Sequence, residues 1–122
     1  MLSPAEIISW LRGYRYLCGS EIALQAGIER VLDENKVRFL REHNLGRDYG
    51  RIDFYLPHVR IGMELKVKGS RSQVIRQLYR YAKSPDIAAL ILVTGKAGLS
   101  ATPAELNGKP LWSECLWQGL LS

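Results

Sequence analysis

Two acidic residues and a lysine, Asp53, Glu64 and Lys66, form the pattern in this sequence with the clearest chemical meaning. They lie in two short segments in which apolar and polar residues alternate, as they do in strands with one buried face. If the chain reverses symmetrically around His58 and Val59, Asp53 lies directly across from Glu64, with Cβ atoms about 5 Å apart. Two carboxylates opposed in this way repel each other, so the arrangement favours a compensating cation.

A hard divalent cation suits this pair of acids. Mg²⁺ prefers oxygen ligands and keeps several waters, so Asp53, Glu64 and a backbone carbonyl such as that of Leu65 could hold it. Lys66, on the same face as Glu64, could orient or help deprotonate a water and counter charge on a phosphate. A Glu-x-Lys tripeptide alone is more often a solvated ion pair, but Asp53 on the matching face favours phosphodiester chemistry.

The helices that precede these segments can be predicted from capping residues and apolar spacing. The run Ser3-Pro4-Ala5-Glu6 is a capping box with proline at the first helical position, which predicts a helix to about Tyr16. A second helix is predicted from Ser20 to about Glu34, with Ile22 among the apolar residues of its buried side.

Beyond Asn35 the apolar period changes to two, which predicts three antiparallel strands. Their apolar residues are Val37, Phe39 and Leu45, then Ile52, Phe54 and Leu56, then Ile61, Met63, Leu65 and Val67. In the second strand we expect Asp53 and Tyr55 to face away from the apolar residues. Each strand would then have one apolar and one polar face.

The rest of the chain predicts a helix, a buried strand and a loop. The helix should span residues 71–83, because Gly69-Ser70 precedes it and Ser84-Pro85 stops it. The continuous apolar run at residues 87–94 is typical of a central strand covered on both faces. Residues 95–109 are predicted to form a loop, and 110–117 are a candidate final strand.

Taken in order, these elements resemble the PD-(D/E)XK nuclease superfamily over about residues 20–94. The resemblance implies an α/β fold with a restriction-endonuclease-like core, in which a mixed central sheet (a three-strand antiparallel meander, then a helix and a further buried strand) is flanked by helices. It implies that Asp53 and Glu64 bind Mg²⁺ or Mn²⁺ and that Lys66 assists the attacking water. The proline that usually precedes the first acid is replaced by Ile52 here.

The resemblance also singles out residues outside the two strands. Many members carry an acid on the preceding helix, which Glu21 or Glu29 could match; Glu21 is preferred, although a carboxylate at a helix start is equally well explained by the helix dipole. Gln77 and Tyr81 lie four residues apart and resemble the Gln-x-x-x-Tyr motif of the RecB-like branch, where both residues contact substrate. Tyr81 as an ordinary core residue is the alternative.

Positive charge concentrates around the motif. The formal net charge is +5, and residues 36–83 contain twelve Lys/Arg and four Asp/Glu, a segmental net of 12 − 4 = +8. Arg76, Arg80 and Lys83 recur along one side of the predicted third helix and, with Lys68, could contact a phosphate backbone. A solvated basic surface is the alternative interpretation. DNA is the predicted partner, and RNA fits the same charge pattern.

Length and composition bound the remaining possibilities. With 122 residues and 47% hydrophobic content, a single domain over residues 1–122 is expected. The apolar runs are shorter than the roughly 20 residues that cross a bilayer, and no secretion signal is recognisable, so we expect a cytoplasmic chain without membrane association. Cys18 and Cys115 are expected to be reduced and mostly packed, and His43 and His58 to be structural.

The sequence therefore predicts an Mg²⁺-dependent nuclease acting on DNA. A Holliday-junction resolvase is a second enzyme hypothesis, and it would require a homodimer that presents two active sites to two strands. A non-catalytic nucleic-acid-binding module is a third. A structural or interaction protein, suggested by the aromatic N-terminal helix and the tryptophan-bearing C-terminus, ranks last. Endonuclease and exonuclease action are not distinguished.

Overall fold

A computed structural model describes residues 1–17 and 19–116 of the chain. Its elements, in chain order, are α1 (Pro4–Arg12), α2 (Glu21–Glu34), β1 (Leu40–Asn44), β2 (Arg51–Leu56), β3 (Ile61–Lys66), α3 (Arg71–Ala82), β4 (Ala89–Thr94), a 3-10 turn (Ala97–Leu99), β5 (Glu105–Leu106) and β6 (Lys109–Cys115). Among these residues, no helix is long and apolar enough to cross a membrane.

The strands form one mixed six-stranded sheet in the order β1-β2-β3-β4-β6-β5. Strands β1, β2 and β3 are an antiparallel meander, as predicted. Strand β4 returns parallel to β3 after α3, and β6 is parallel to β4. The predicted mixed α/β architecture, a meander followed by a helix and a buried strand, is confirmed at this level.

Two apolar clusters cover the two faces of the sheet. On β4, Ile91 and Val93 pack in the cluster that contains α1 and α2. Leu90 and Leu92 pack in the cluster that contains α3. Because successive strand residues point to opposite faces, α3 lies on the face opposite to α1 and α2. All six residues of β4 are buried, which explains its continuous apolar run.

The first two helices begin where the sequence predicts them but differ in extent and buried face. Helix α1 has the predicted capping box, yet it ends at Arg12 rather than near Tyr16, because Gly13 caps it. Tyr16 turns back, and its buried hydroxyl donates to the Leu11 carbonyl at 2.6 Å. Ile22, predicted on the buried side of α2, is 79% exposed, since it lies about 200° around the helix from buried Leu24.

The strand limits differ from the prediction at several places. Val37 and Phe39 precede β1, because the chain is still leaving α2 there: Lys36 has a φ of +58° and the Val37 amide donates to the Leu32 carbonyl. Leu45 follows β1. The predicted loop 95–109 contains the short strand β5, and the predicted final strand is present as β6 from Lys109 to Cys115. Cys18 and Trp117 lie outside the described residues.

Candidate active site

The β2–β3 hairpin has the register that the sequence predicts. Its pairs are Phe54 with Met63, Tyr55 with Gly62, and Leu56 with Ile61. The same register sets Asp53 across from Glu64. The Asp53 amide donates to Glu64 Oε1 at 3.1 Å, and the Leu65 amide donates to Asp53 Oδ2 at 2.9 Å. Each acid is therefore held by a backbone amide of the opposite strand.

Regular alternation along β2 is interrupted at Asp53. Ile52 was expected to share a face with Phe54 and Leu56, but it packs with Tyr55 in the cluster on the α3 side. Asp53 uses its side chain, rather than the regular ladder, to bond with β3. The residue facing it on β1 is Glu42, which has a φ of +50°. The change of face at Ile52 thus coincides with the irregular backbone at Glu42 and Asp53.

Burial and nearby negative charges raise the pKa of both acids. Glu64 is only 3% exposed, and burial, followed by the charge of Asp53, raises its pKa to about 8. Burial also raises the pKa of Asp53; the bond from the Leu65 amide opposes this, whereas the charges of Glu42 and Glu21 add to it. A cation between these carboxylates would relieve both effects.

Lys66 stands next to this pair at the end of β3. Its Nζ lies 3.6 Å from Glu64 Oε2, and its side chain is 23% exposed whereas that of Glu64 is 4% exposed. Lys66 thus bridges the buried acid and solvent. This is the position from which an ammonium group can meet a phosphate that approaches from outside.

Of the two candidate helix acids, Glu21 lies at the site. It is the first residue of α2, and its Oε2 accepts a hydrogen bond from the Val67 amide at 3.4 Å. Its charge also raises the pKa of Asp53. Glu29 is instead paired with Arg41, Oε1 to Nη1 at 2.7 Å.

The Gln77–Tyr81 pair lies on α3, and the Tyr81 side chain reaches Glu64. Gln77 Nε2 donates to the Tyr81 hydroxyl at 2.8 Å, and that hydroxyl donates to the Arg51 carbonyl at 2.7 Å. The same hydroxyl lies beside Glu64 and lowers the pKa of that carboxyl, but a hydroxyl has one proton, so a bond to Glu64 competes with the bond to Arg51. Tyr81 is fully buried. It therefore supports the start of β2, and its contact with substrate stays a prediction.

Three of the predicted phosphate-binding cations lie at the protein surface. Lys68, Arg76 and Arg80 are all exposed. Arg80 lies against Gly50, where an added Cβ would be 3.6 Å from its Nε. Arg76 borders a groove at the start of α3.

Glu42 is the residue near the site that the sequence did not single out. It is exposed, and its charge raises the pKa of Asp53. Glu42 lies near Asp53 because of the β1–β2 register, in which Arg41 pairs with Phe54 and His43 with Ile52. The six-residue connection 45–50 does not determine that register in advance, so the only signal in the sequence was an acid within a basic segment.

The two histidines and Cys115 lie in different surroundings. His43 stacks on Tyr55, with ring centroids 4.7 Å apart. His58 is exposed at the β2–β3 turn. Cys115 has a free, half-buried thiol, and burial raises its pKa.

The donors present fit a cation held by two carboxylates. In the described part of the chain, no set of three His, Cys, Asp or Glu side chains is arranged as a metal site. Backbone amides occupy one oxygen each of Asp53 and Glu64. The second oxygens, of which Glu64 Oε2 lies 3.6 Å from Lys66 Nζ, are hard donors of the kind that Mg²⁺ or Mn²⁺ prefers. A part for the Leu65 carbonyl stays a prediction. Comparisons with protein-family models, with curated proteins and with solved structures find no match for this chain.

Proposed function

We propose that this protein is a divalent-metal-dependent nuclease that hydrolyses DNA phosphodiester bonds on a restriction-endonuclease-like core. One observation carries the proposal: the buried acid Glu64 faces Asp53 on the neighbouring strand, with Lys66 Nζ 3.6 Å from its carboxylate. Two opposed carboxylates and an ammonium group are the charges that phosphodiester hydrolysis requires.

Asp53 and Glu64 would hold Mg²⁺ or Mn²⁺. When bound, the cation supplies a Lewis acid for the phosphate and lowers the pKa of a water. The chain's own part is to fix the two carboxylates, which it does through the amides of Leu65 and Asp53. The burial of Glu64 also excludes bulk water, which strengthens every charge interaction at the site.

Lys66 would act on the attacking water and on the phosphate. Its ammonium group can orient the water and donate to a phosphate oxygen as negative charge grows there. Glu21, which is anchored by the Val67 amide, would position water at the same side of Asp53. Gln77 and Tyr81 would support the strand that carries Asp53 through the Arg51 carbonyl.

The charge of the surface supports nucleic acid as the substrate. Residues 36–83 carry a net charge of 12 − 4 = +8 although they include both acids of the site. The exposed cations Lys68, Arg76 and Arg80 would contact phosphates on either side of the one that is cut.

The test is cleavage of labelled single-stranded, duplex, flapped and four-way-junction DNA in Mg²⁺, Mn²⁺ or EDTA. Asp53→Asn and Lys66→Ala should each lower cleavage by about 100-fold or more, because each removes a charge used in the reaction. Asp33→Asn and Arg38→Ala are matched controls: Asp33 lies about 18 Å along α2 from Glu21, and Arg38 borders the opposite end of the β2–β3 hairpin.

The outcomes separate the functions that this charge arrangement can serve. Metal-dependent cleavage that both site variants lose, and both controls keep, supports the nuclease. Cleavage of four-way junctions alone, by a dimer, indicates a resolvase. DNA binding without cleavage of any substrate would refute the nuclease proposal and leave a nucleic-acid-binding module.

A further inference from the structure

A groove with a volume of about 300 Å³ opens beside the candidate active site, between the start of α2 and the segment after β3. It is lined by Gly19, Ser20, Glu21, Ile22, Val67 and Lys68. Glu21 also acts on Asp53 through its charge, and Val67 directly follows Lys66. The groove therefore lies next to the site, and its volume lies at the small end of ligand pockets in proteins.

The groove lining combines apolar side chains with one cation, beside the Glu21 carboxylate. Ile22 is 79% exposed, and an exposed aliphatic residue alone needs no explanation. Here, however, it shares a groove with the half-buried Val67 and with the exposed ammonium group of Lys68. A nucleotide complements this lining, because its base offers apolar faces and its phosphate carries a negative charge.

The position of Glu21 sets the direction in which a nucleotide would lie. Its carboxylate, bonded to the Val67 amide, marks the end of the groove next to Asp53 and repels a phosphate from there. Lys68, also in the lining, attracts a phosphate to its own ammonium group. Beyond Ser20, an added Cβ on Gly19 would meet no atom within 4 Å in the part of the chain that the structure describes.

We propose that this groove holds the nucleotide next to the scissile phosphate, with its base against Ile22 and Val67 and its phosphate at Lys68. The inference rests on the proposed nuclease function and deepens it. A base in a duplex is stacked and paired, so it can enter the groove only after leaving the stack. The preferred substrate is therefore DNA that is unpaired at the cut, as in a single strand, a frayed end or a flap.

The experiment compares wild type with Ile22→Ala, which keeps the helix because the residue is exposed and alanine favours helices. The control is Trp112→Ala, which removes an exposed apolar residue outside the groove. Cleavage rates are measured on matched substrates that are paired or unpaired at the cut. The preference for the unpaired substrate should fall about tenfold in Ile22→Ala and stay unchanged in the control.

A second measurement does not depend on cleavage. The fluorescent base 2-aminopurine is placed next to the cleavage position in a single-stranded oligonucleotide. The oligonucleotide is titrated in EDTA with the Asp53→Asn protein and, separately, with the double variant that also carries Ile22→Ala. Binding should change the fluorescence with Asp53→Asn, and adding Ile22→Ala should remove most of that change.

The outcomes distinguish a failure of the groove inference from a failure of the nuclease proposal. If wild type cleaves DNA but Ile22→Ala changes neither the substrate preference nor the fluorescence, the groove inference is wrong and the nuclease stands. A second copy or a protein partner as occupant of the groove would give that result. If wild type cleaves nothing, the nuclease proposal fails and the groove inference falls with it.

Discussion

Replacing Glu64 by glutamine should stabilise the metal-free protein at alkaline pH. Burial and the neighbouring charge of Asp53 raise the pKa of Glu64 from its ordinary 4.5 to about 8. Between those values the folded protein keeps a proton on Glu64 that the unfolded chain has lost. The contribution of Glu64 to the free energy of unfolding should therefore be most favourable below about pH 4.5 and be lost as the pH rises through 8.

The magnitude follows from the size of the shift. A change from 4.5 to about 8 corresponds to about 5 kcal/mol lost across that range. Glutamine is uncharged but still polar, so it keeps a smaller burial cost of its own and Glu64→Gln recovers only part of the total. We expect Glu64→Gln to exceed wild type by about 2–4 kcal/mol at pH 9 and to match it within about 1 kcal/mol at pH 5.

Urea unfolding in EDTA, followed at intervals from pH 5 to pH 9, measures this difference directly. Glutamine keeps the size of the side chain and the oxygen that accepts from the Asp53 amide. The matched control is Glu105→Gln, an exposed acid on β5. If wild type is as stable at pH 9 as at pH 6, and Glu64→Gln gains nothing there, Glu64 does not carry a raised pKa and the electrostatic reasoning is refuted.

Three further predictions test the site and its support. Mg²⁺ at 100 times its Kd should stabilise wild type by about 2.7 kcal/mol but leave Glu64→Gln nearly unchanged, as seen in thermal melts at pH 8; equal shifts would place the ion elsewhere. Tyr81→Phe should lower the free energy of urea unfolding by about 1–3 kcal/mol, because the Arg51 carbonyl and Gln77 lose their partner. Gly62→Ala should cost about 1–3 kcal/mol in the same assay, since its Cβ would lie 2.5 Å from Ile52 Cδ1; wild-type stability would contradict that packing.

The hairpin that carries the candidate site was predictable because its information is local. The alternation of apolar residues marks both strands, and the short turn at His58 and Val59 determines which residues face each other. The pairing of Tyr55 with Gly62 has the predicted register. For the same reason α3 and β4 appear near their predicted limits, since capping residues and an unbroken apolar run need no distant partner to be recognised.

The long-range arrangement was not predictable in this way. Whether Glu21 or Glu29 joins the site depends on how α2 crosses the sheet, and only the bonds of Glu21 to Val67 and of Glu29 to Arg41 decide it. The proximity of Glu42 to Asp53 depends on the pairing of β1 with β2. These contacts join residues far apart in the chain, so no local period encodes them.

By itself the sequence determined the acid pair, the lysine beside it and the elements that carry them, because turn length and apolar alternation act over a few residues. Only the tertiary structure decided how deeply Glu64 is buried, and hence that its pKa rises to about 8. It also decided that the Tyr81 hydroxyl bonds to the Arg51 carbonyl, and that Ile22 borders a groove rather than the core. Burial and charge environment are sums over everything that packs around a side chain, and those neighbours come from every part of the chain.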